Sequence, residues 1–226
     1  MTGIRLLMVI RNLSVRYGNI IGMELPADIG DLAVGFANTL VHDGRGGVDD
    51  LLSTAEAARA WLSGRGLGSA VDWESLLAAR SATRALFAAA VAPRPASRAD
   101  NGRVAMPAEA ALELLQGCVD AIAPAARYAY DGGRVIVTRT TEVDASAATV
   151  GILAFAVLEL LASPAAAELR ACQAPRCVRY FRKHRRQEWC KPSCANRARV
   201  ARYAERHQPT AGDQASPNES PFPPLA

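Results

Sequence analysis

Apolar residues fall into blocks along the chain, and the spacing within each block predicts its structure. DLAVGFANTLV (31–41) reads as a short buried helical element, and VHDGRGG (41–47), rich in Gly and Asp, as a loop. Ser53 and Glu56 have capping-box spacing. A helix is therefore expected from Ser53, with Ala57, Ala60, Trp61 and Leu62 on its apolar face and a stop near Gly64. Asp72 should cap the next helix, WESLLAARSATRALFAAAVA, in which Trp73, Leu76, Leu77, Phe87 and Val91 form one stripe. Arg80 and Arg84, four residues apart, interrupt that stripe.

PRPASRADNGRVAMP (93–107) reads as a long flexible loop, rich in Pro, Ser and Asn. A third helix is expected from about Pro107 to Ile122, then a β-hairpin in ARYAY-DGG-RVIVTRT around Asp131-Gly132-Gly133. A fourth helix, roughly Ser146 to Leu161, is nearly all apolar and belongs in the centre of a core. Its longest apolar run, Ala147–Ala162, contains Glu159 and is short for a bilayer, so no membrane contact is predicted. Ser163-Pro164 should cap and open a short helix, AAAELRA, delivering the chain to Cys172. LLMVI and IIGMEL in residues 1–27 read either as short strands or as an extension of uncertain order. The tail 208–226, with its prolines and little apolar content, reads as disordered. The fold class is mainly α: a helical N-terminal domain (28–170) with a small β-hairpin, followed by a small C-terminal module (171–207).

Composition adds an asymmetry of charge. The chain carries +4 overall. Between Cys172 and Arg206, however, eleven Arg or Lys face only Glu188 and Glu205, so this segment carries +9 and the remainder −5. An acidic body with a basic contact surface follows. The start MTGIRLLMVIRNL lacks a signal-peptide cleavage site, which points to a cytoplasmic location, where clustered cysteines bind metal more often than they form disulfides.

Cys172, Cys177, Cys190 and Cys194 follow C-x4-C-x12-C-x3-C. Two close pairs, each in a turn that holds a proline (Pro175 and Pro192), suit tetrahedral Zn²⁺. With four protein thiolates no open position remains, so the zinc should be structural; it would lower the segment's charge to about +7. The alternatives are four unrelated free thiols or two disulfides. Trp189, Tyr180 and Phe181 are the module's main apolar residues, too few for a core, so metal binding should supply much of its folding energy. Cys118, alone in ELLQGCVDAI, reads as a small buried hydrophobe, and His184 as a surface residue.

These residues carry a resemblance. WCKPSCANRARVARYAER resembles the CGNR zinc-finger family, with Cys194-Ala195-Asn196-Arg197 in place of Cys-Gly-Asn-Arg. Phe36-Ala37-Asn38-Thr39 and the double-arginine helix resemble the ABATE domain that accompanies this finger. The resemblance covers roughly residues 28–207 and implies a bacterial, stress-responsive transcription regulator.

The residues themselves point to nucleic acid, with DNA the first candidate. Arg179, Arg182, Lys183, Arg185 and Arg186 lie between the cysteine pairs, where zinc would present them to phosphates. In the helix expected after Cys194, Arg199, Arg202 and Arg206 share a face, with Asn196 one turn earlier and Arg197 beside it. Val200 and Tyr203 should pack against the metal core. An RNA-binding or protein-interaction module is the alternative. Asn38, Arg80 and Arg84 form a candidate pocket for a small-molecule or anion effector. The competing reading has Asn38 bridging backbone and the arginines paired with Asp or Glu. No Ser-His-Asp set or phosphate loop is present, and the histidines are His42, His184 and His207, so no enzyme is expected. A homodimer would suit a regulator, although no heptad pattern supports one.

Overall fold

A computed structural model describes residues 29–100, 106–122, 125–131, 134–140 and 144–207. The expectations for residues 1–27 and for the tail 208–226 lie outside these, as does the Gly132-Gly133 turn.

The order of elements is α1 (Ile29–Ala37), β1 (Leu40–His42), β2 (Val48–Asp50), α2 (Ala55–Ser63), α3 (Trp73–Val91), α4 (Ala108–Asp120), β3 (Ala125–Asp131), β4 (Arg134–Thr140), α5 (Ala145–Ala162), a 3₁₀ turn (Pro164–Glu168), β5 (Leu169–Ala171), β6 (Tyr180–Arg182) and α6 (Pro192–Arg206). The class is mainly α, with strands only as two-stranded antiparallel pairs among the described residues.

Helix α5 is the axis. Asp144 caps it by accepting from the Ser146 and Ala147 N–H groups. It is apolar all round because it is surrounded: residues 149–157 are all buried, and α1, α3 and α4 pack against it. By length and composition alone α5 could cross a membrane; here those apolar residues form the centre of the core. Gly151 lets α4 come close, since a Cβ there would lie 2.8 Å from the Cys118 carbonyl oxygen and 2.6 Å from Ile122.

Helix α3 runs as the pattern predicts, capped by Asp72, with Leu76, Phe87 and Val91 buried and Trp73 and Leu77 partly so. Helix α2 starts one residue later than expected. Thr54, not Ser53, accepts from the Ala57 N–H. Ala58, Trp61 and Leu62 form its buried stripe, and Ala60 is exposed.

Three local expectations are corrected. The helix expected over 31–41 ends at Ala37; residues 40–42 become β1, which pairs with β2 in the register Leu40↔Asp50 to His42↔Val48. The loop between them is folded around Asp43, whose Oδ1 accepts from the Arg45, Gly46 and Gly47 N–H groups at 2.7–2.9 Å. The expected helix AAAELRA is a 3₁₀ turn followed by β5, which pairs with β6 in the register Leu169↔Arg182 to Ala171↔Tyr180. The first part of the loop after α3, up to Asp100, is anchored rather than flexible: Ser97 and Ala99 are buried, and Asp100 is bonded inward.

Candidate metal centre and nucleic-acid interface

Each cysteine is set by local chain geometry. Cys172 follows β5, and its N–H donates to the Arg179 carbonyl at 2.9 Å. Arg176, in the left-handed region at φ 63°, turns the chain so that the Cys177 N–H reaches the Ala174 carbonyl at 3.0 Å. Cys190 precedes α6, and Cys194 lies in its first turn behind Pro192.

The four sulfurs lie within 4.8 Å of one another. Cys177 and Cys190 are 3.7 Å apart, and Cys190 and Cys194 3.5 Å. A tetrahedron with Zn–S bonds of about 2.3 Å has S···S edges of about 3.8 Å, whereas a disulfide needs about 2.05 Å. All four cysteines are free, and Cys172, Cys177 and Cys194 are buried. Without a cation Cys172, Cys177 and Cys190 cannot all ionise. A hydrogen bond from Cys177 holds the Cys172 thiolate down to about 2. Its own bond to Cys172 pushes Cys177 up to about 11, and Cys190 is driven higher by the same neighbours and by burial. A divalent ion removes this conflict by balancing the negative sulfurs. The geometry and donor set therefore fit a structural zinc.

Ala174 and Phe181 complete a small cluster around the sulfurs, with Trp189 packed against it. Tyr180 is not part of it. The Tyr180 ring is fully buried in the core of the N-terminal body, 5.4 Å from the Phe87 ring and edge-on to it. The module is thus docked on the body through its own strand. The Asn38 side chain grips the Tyr180 backbone twice at 2.8 Å, its Nδ2 donating to the carbonyl and its Oδ1 accepting from the N–H. The Tyr180 hydroxyl donates to Asp100 at 2.7 Å. Arg84 holds both Asp100 oxygens at 2.8 and 2.9 Å, the Ala37 carbonyl at 2.6 Å and Ser97 Oγ at 2.9 Å. Ser97 Oγ in turn donates to the Val178 carbonyl. Burial raises the Tyr180 phenol well above its ordinary value, and the Asp100 charge adds to that.

Arg80 forms a two-armed pair with Asp50 and donates to Thr39 Oγ1. Burial alone would raise Asp50, but the Arg80 bonds and the Leu52 N–H hold it below the usual carboxylate range. Asn38 thus bridges backbone, and Arg80 and Arg84 pair with Asp50 and Asp100, as the competing reading of these residues has it. Sequence reasoning missed Ser97, Asp50 and Asp100; only polar residues in a supposedly flexible loop hinted at the Asp100 network.

A family model, ABATE, described as "Putative stress-induced transcription regulator", matches residues 30–164. A second, the CGNR zinc finger, matches residues 168–207. The chain belongs to the ABATE family. A comparison with curated proteins finds no match. The FANT segment of this ABATE domain now has a physical account. Phe36 fills the core, Ala37 accepts from Arg84, Asn38 holds the finger's strand, and Thr39 Oγ1 donates to the Phe36 carbonyl. In the CGNR-type signature, Ala195 sits within α6, where alanine is a good helix former.

Arg197, the last residue of that signature, faces inward. Its Nη2 donates to Cys194 Sγ at 3.1 Å, and its Nη1 lies 3.0 Å from His42 Nε2 on β1 of the ABATE domain. The Gly44 N–H lies 3.2 Å from the ring's other nitrogen, Nδ1, and a neutral imidazole can accept at only one of these two positions. Burial, then the charges of Arg197 and Lys191, lower the His42 pKa. Outer-shell partners of metal ligands are typically worth 10–100-fold in affinity. Arg197→Ala should therefore weaken zinc binding about 10–100-fold. Competition with a chromophoric chelator would measure this; unchanged affinity would remove Arg197 from the metal's outer shell.

The other basic residues divide by exposure. Arg185, Arg186, Arg199, Arg202 and Arg206 are exposed, as are His184 and the neutral Asn196. Arg179, Arg182 and Lys183 are half-buried, and Arg182 pairs with Asp31 at 3.0 Å. The segment between the cysteine pairs is therefore not a projecting loop; residues 184–186 and Glu188 are exposed, while Val178, Tyr180 and Phe181 are buried. Val200 and Tyr203, expected against the metal core, are instead 60% and 59% exposed. Only Cys194 and Ala198 of α6 are buried, so beyond its first turns the helix stands free of the body. Cys118 is half-buried against the core, and burial raises its thiol.

Proposed function

We propose that this protein is a transcription regulator that binds DNA through α6 and the neighbouring 184–186 turn. The observation that carries this reading is the placement of α6: its N-terminal turn holds Cys194, and beyond Ala198 the helix projects into solvent. Arg199, Arg202 and Arg206 share one exposed face, with Asn196 one turn earlier. Arg199 Nη1 donates to Asn196 Oδ1 at 3.3 Å, which pre-orients both groups. Arginine suits guanine edges and phosphates, asparagine suits adenine edges, and a helix pinned at one end by zinc is a known way into the major groove. Arg185 and Arg186 add sequence-independent phosphate contacts.

In this reading the ABATE domain acts as the mount. Asn38, Arg84 and Asp100 fix β6, His42 meets Arg197, and the finger moves with the body rather than on a tether.

Full-length, zinc-loaded protein should bind duplex DNA with affinity that falls steeply as salt rises. Arg199→Ala and Arg202→Ala should each weaken binding about tenfold or more, and each lost phosphate contact should reduce the salt slope by about one. Fluorescence anisotropy over a salt series reads both quantities. Binding that ignores these substitutions sinks the reading, as does a preference for single-stranded RNA over duplex DNA.

A further inference from the structure

A cavity of about 240 Å³ opens where the finger meets the ABATE domain. Arg94 reaches it from the loop after α3, Arg170 from β5 and Lys183 from just beyond β6. Hydrogen bonds fix these three segments together. Arg170 and Phe181 are directly opposite across the β5–β6 pair. The Lys183 N–H donates to the Glu168 carbonyl at 2.8 Å and closes the end of that pair. Gln173 Nε2 donates to the Pro95 and Ala96 carbonyls at 3.2 and 3.4 Å, which holds the Arg94 loop against β5. Arg170 Nη1 is oriented by the Ala167 and Leu169 carbonyls. Neither the Arg94 nor the Lys183 side chain has a hydrogen bond or ion pair with another described residue.

Three cationic residues therefore line one recess, opposed among its lining residues only by Glu188, with buried Phe181 as an apolar wall. The local excess is about +2. A carboxylate supplies one negative charge; a phosphate monoester supplies about −1.5 to −2 and three acceptor oxygens. The volume lies below the roughly 300 Å³ at which pockets for drug-sized ligands begin, so the occupant is small. We propose that this junction binds a small phosphate monoester, its phosphate among Arg94, Arg170 and Lys183 and its organic part against Phe181. The cavity's walls belong to both the ABATE match and the finger match, so an occupant would touch the joint between them. This inference does not rest on the DNA reading.

Calorimetric titration of the full-length, zinc-loaded protein tests it, with phenyl phosphate, inorganic phosphate and benzoate as probes. Phenyl phosphate should bind saturably at one site and more tightly than either other probe. Arg94→Gln, at an exposed position, and Lys183→Gln should each weaken it about tenfold. Arg199→Ala should leave it unchanged. Absence of saturable binding overturns the proposal, as does binding indifferent to Arg94→Gln and Lys183→Gln. If those two substitutions weaken duplex DNA binding while phenyl phosphate does not saturate, the recess receives a backbone phosphate of nucleic acid, and the small-ligand proposal fails.

Discussion

Arg84→Ala should cost about 3–5 kcal/mol of folding stability, the range for removing one partner of a buried ion pair. The Arg84 side chain is 5% exposed and that of Asp100 14%, so the abandoned carboxylate could not be fully rehydrated. The loss would spread, because Arg84 also serves the Ala37 carbonyl and Ser97, and Asp100 also receives the Tyr180 hydroxyl. Denaturant unfolding would measure the cost. Asp100→Asn should also destabilise, and the double variant should lose clearly less than the sum of the two, as expected for residues in one network. Additive losses within a few tenths of a kcal/mol would mean that the pair carries no special coupling. Hydrogen exchange adds a second readout: Arg84→Ala should loosen the β5–β6 amides before those of α5, since the network joins finger to body.

Loss of a zinc ligand should have the second large effect, and it should be local. Structural zinc typically contributes on the order of 10 kcal/mol to the folding of its module. In Cys177→Ser, or after chelation, α6 would keep only Ala198 as a buried anchor besides Cys194. Residues 192–206 should then exchange their amides rapidly, and a helix of this length is marginal in water without tertiary support. Tyr180 should stay in place, because its burial and its Asn38 and Asp100 bonds belong to the ABATE core. The body's cooperative unfolding transition should therefore survive while DNA binding is lost. Global unfolding on chelation would show that the finger and the body are one unit held by the metal.

What was legible in the sequence was what short-range patterns encode. The α3 helix announced itself through Asp72 and its stripe, α5 through an apolar run that only a core can accept, and the hairpin through Asp-Gly-Gly. The metal centre followed from the spacing of four cysteines. Three-residue strands were not legible: β1, β2, β5 and β6 are too short to show a period-two pattern, and β5 looks helical by composition. Partnerships across long separations were equally hidden. Asn38 and Tyr180 are 142 residues apart, and nothing local says that a tyrosine between two cysteine pairs belongs to another domain's core. The same fact explains why Arg80 and Arg84 were read two ways: an arginine on an apolar stripe needs an acid, and Asp50 and Asp100 lie in loop-like sequence that carries no sign of burial. Val200 and Tyr203 are exposed because α6 leaves the core after its second turn, at Ala198, which no local pattern announces.

One metal ion held by Cys172, Cys177, Cys190 and Cys194 would fix α6 on the body. X-ray absorption at the zinc edge, on full-length protein purified under reducing conditions with its metal content quantified, tests it most directly. The expected result is one zinc per chain with four sulfur neighbours at about 2.3 Å. Protein without stoichiometric zinc, or zinc bound by nitrogen or oxygen in place of any of the four sulfurs, would contradict it.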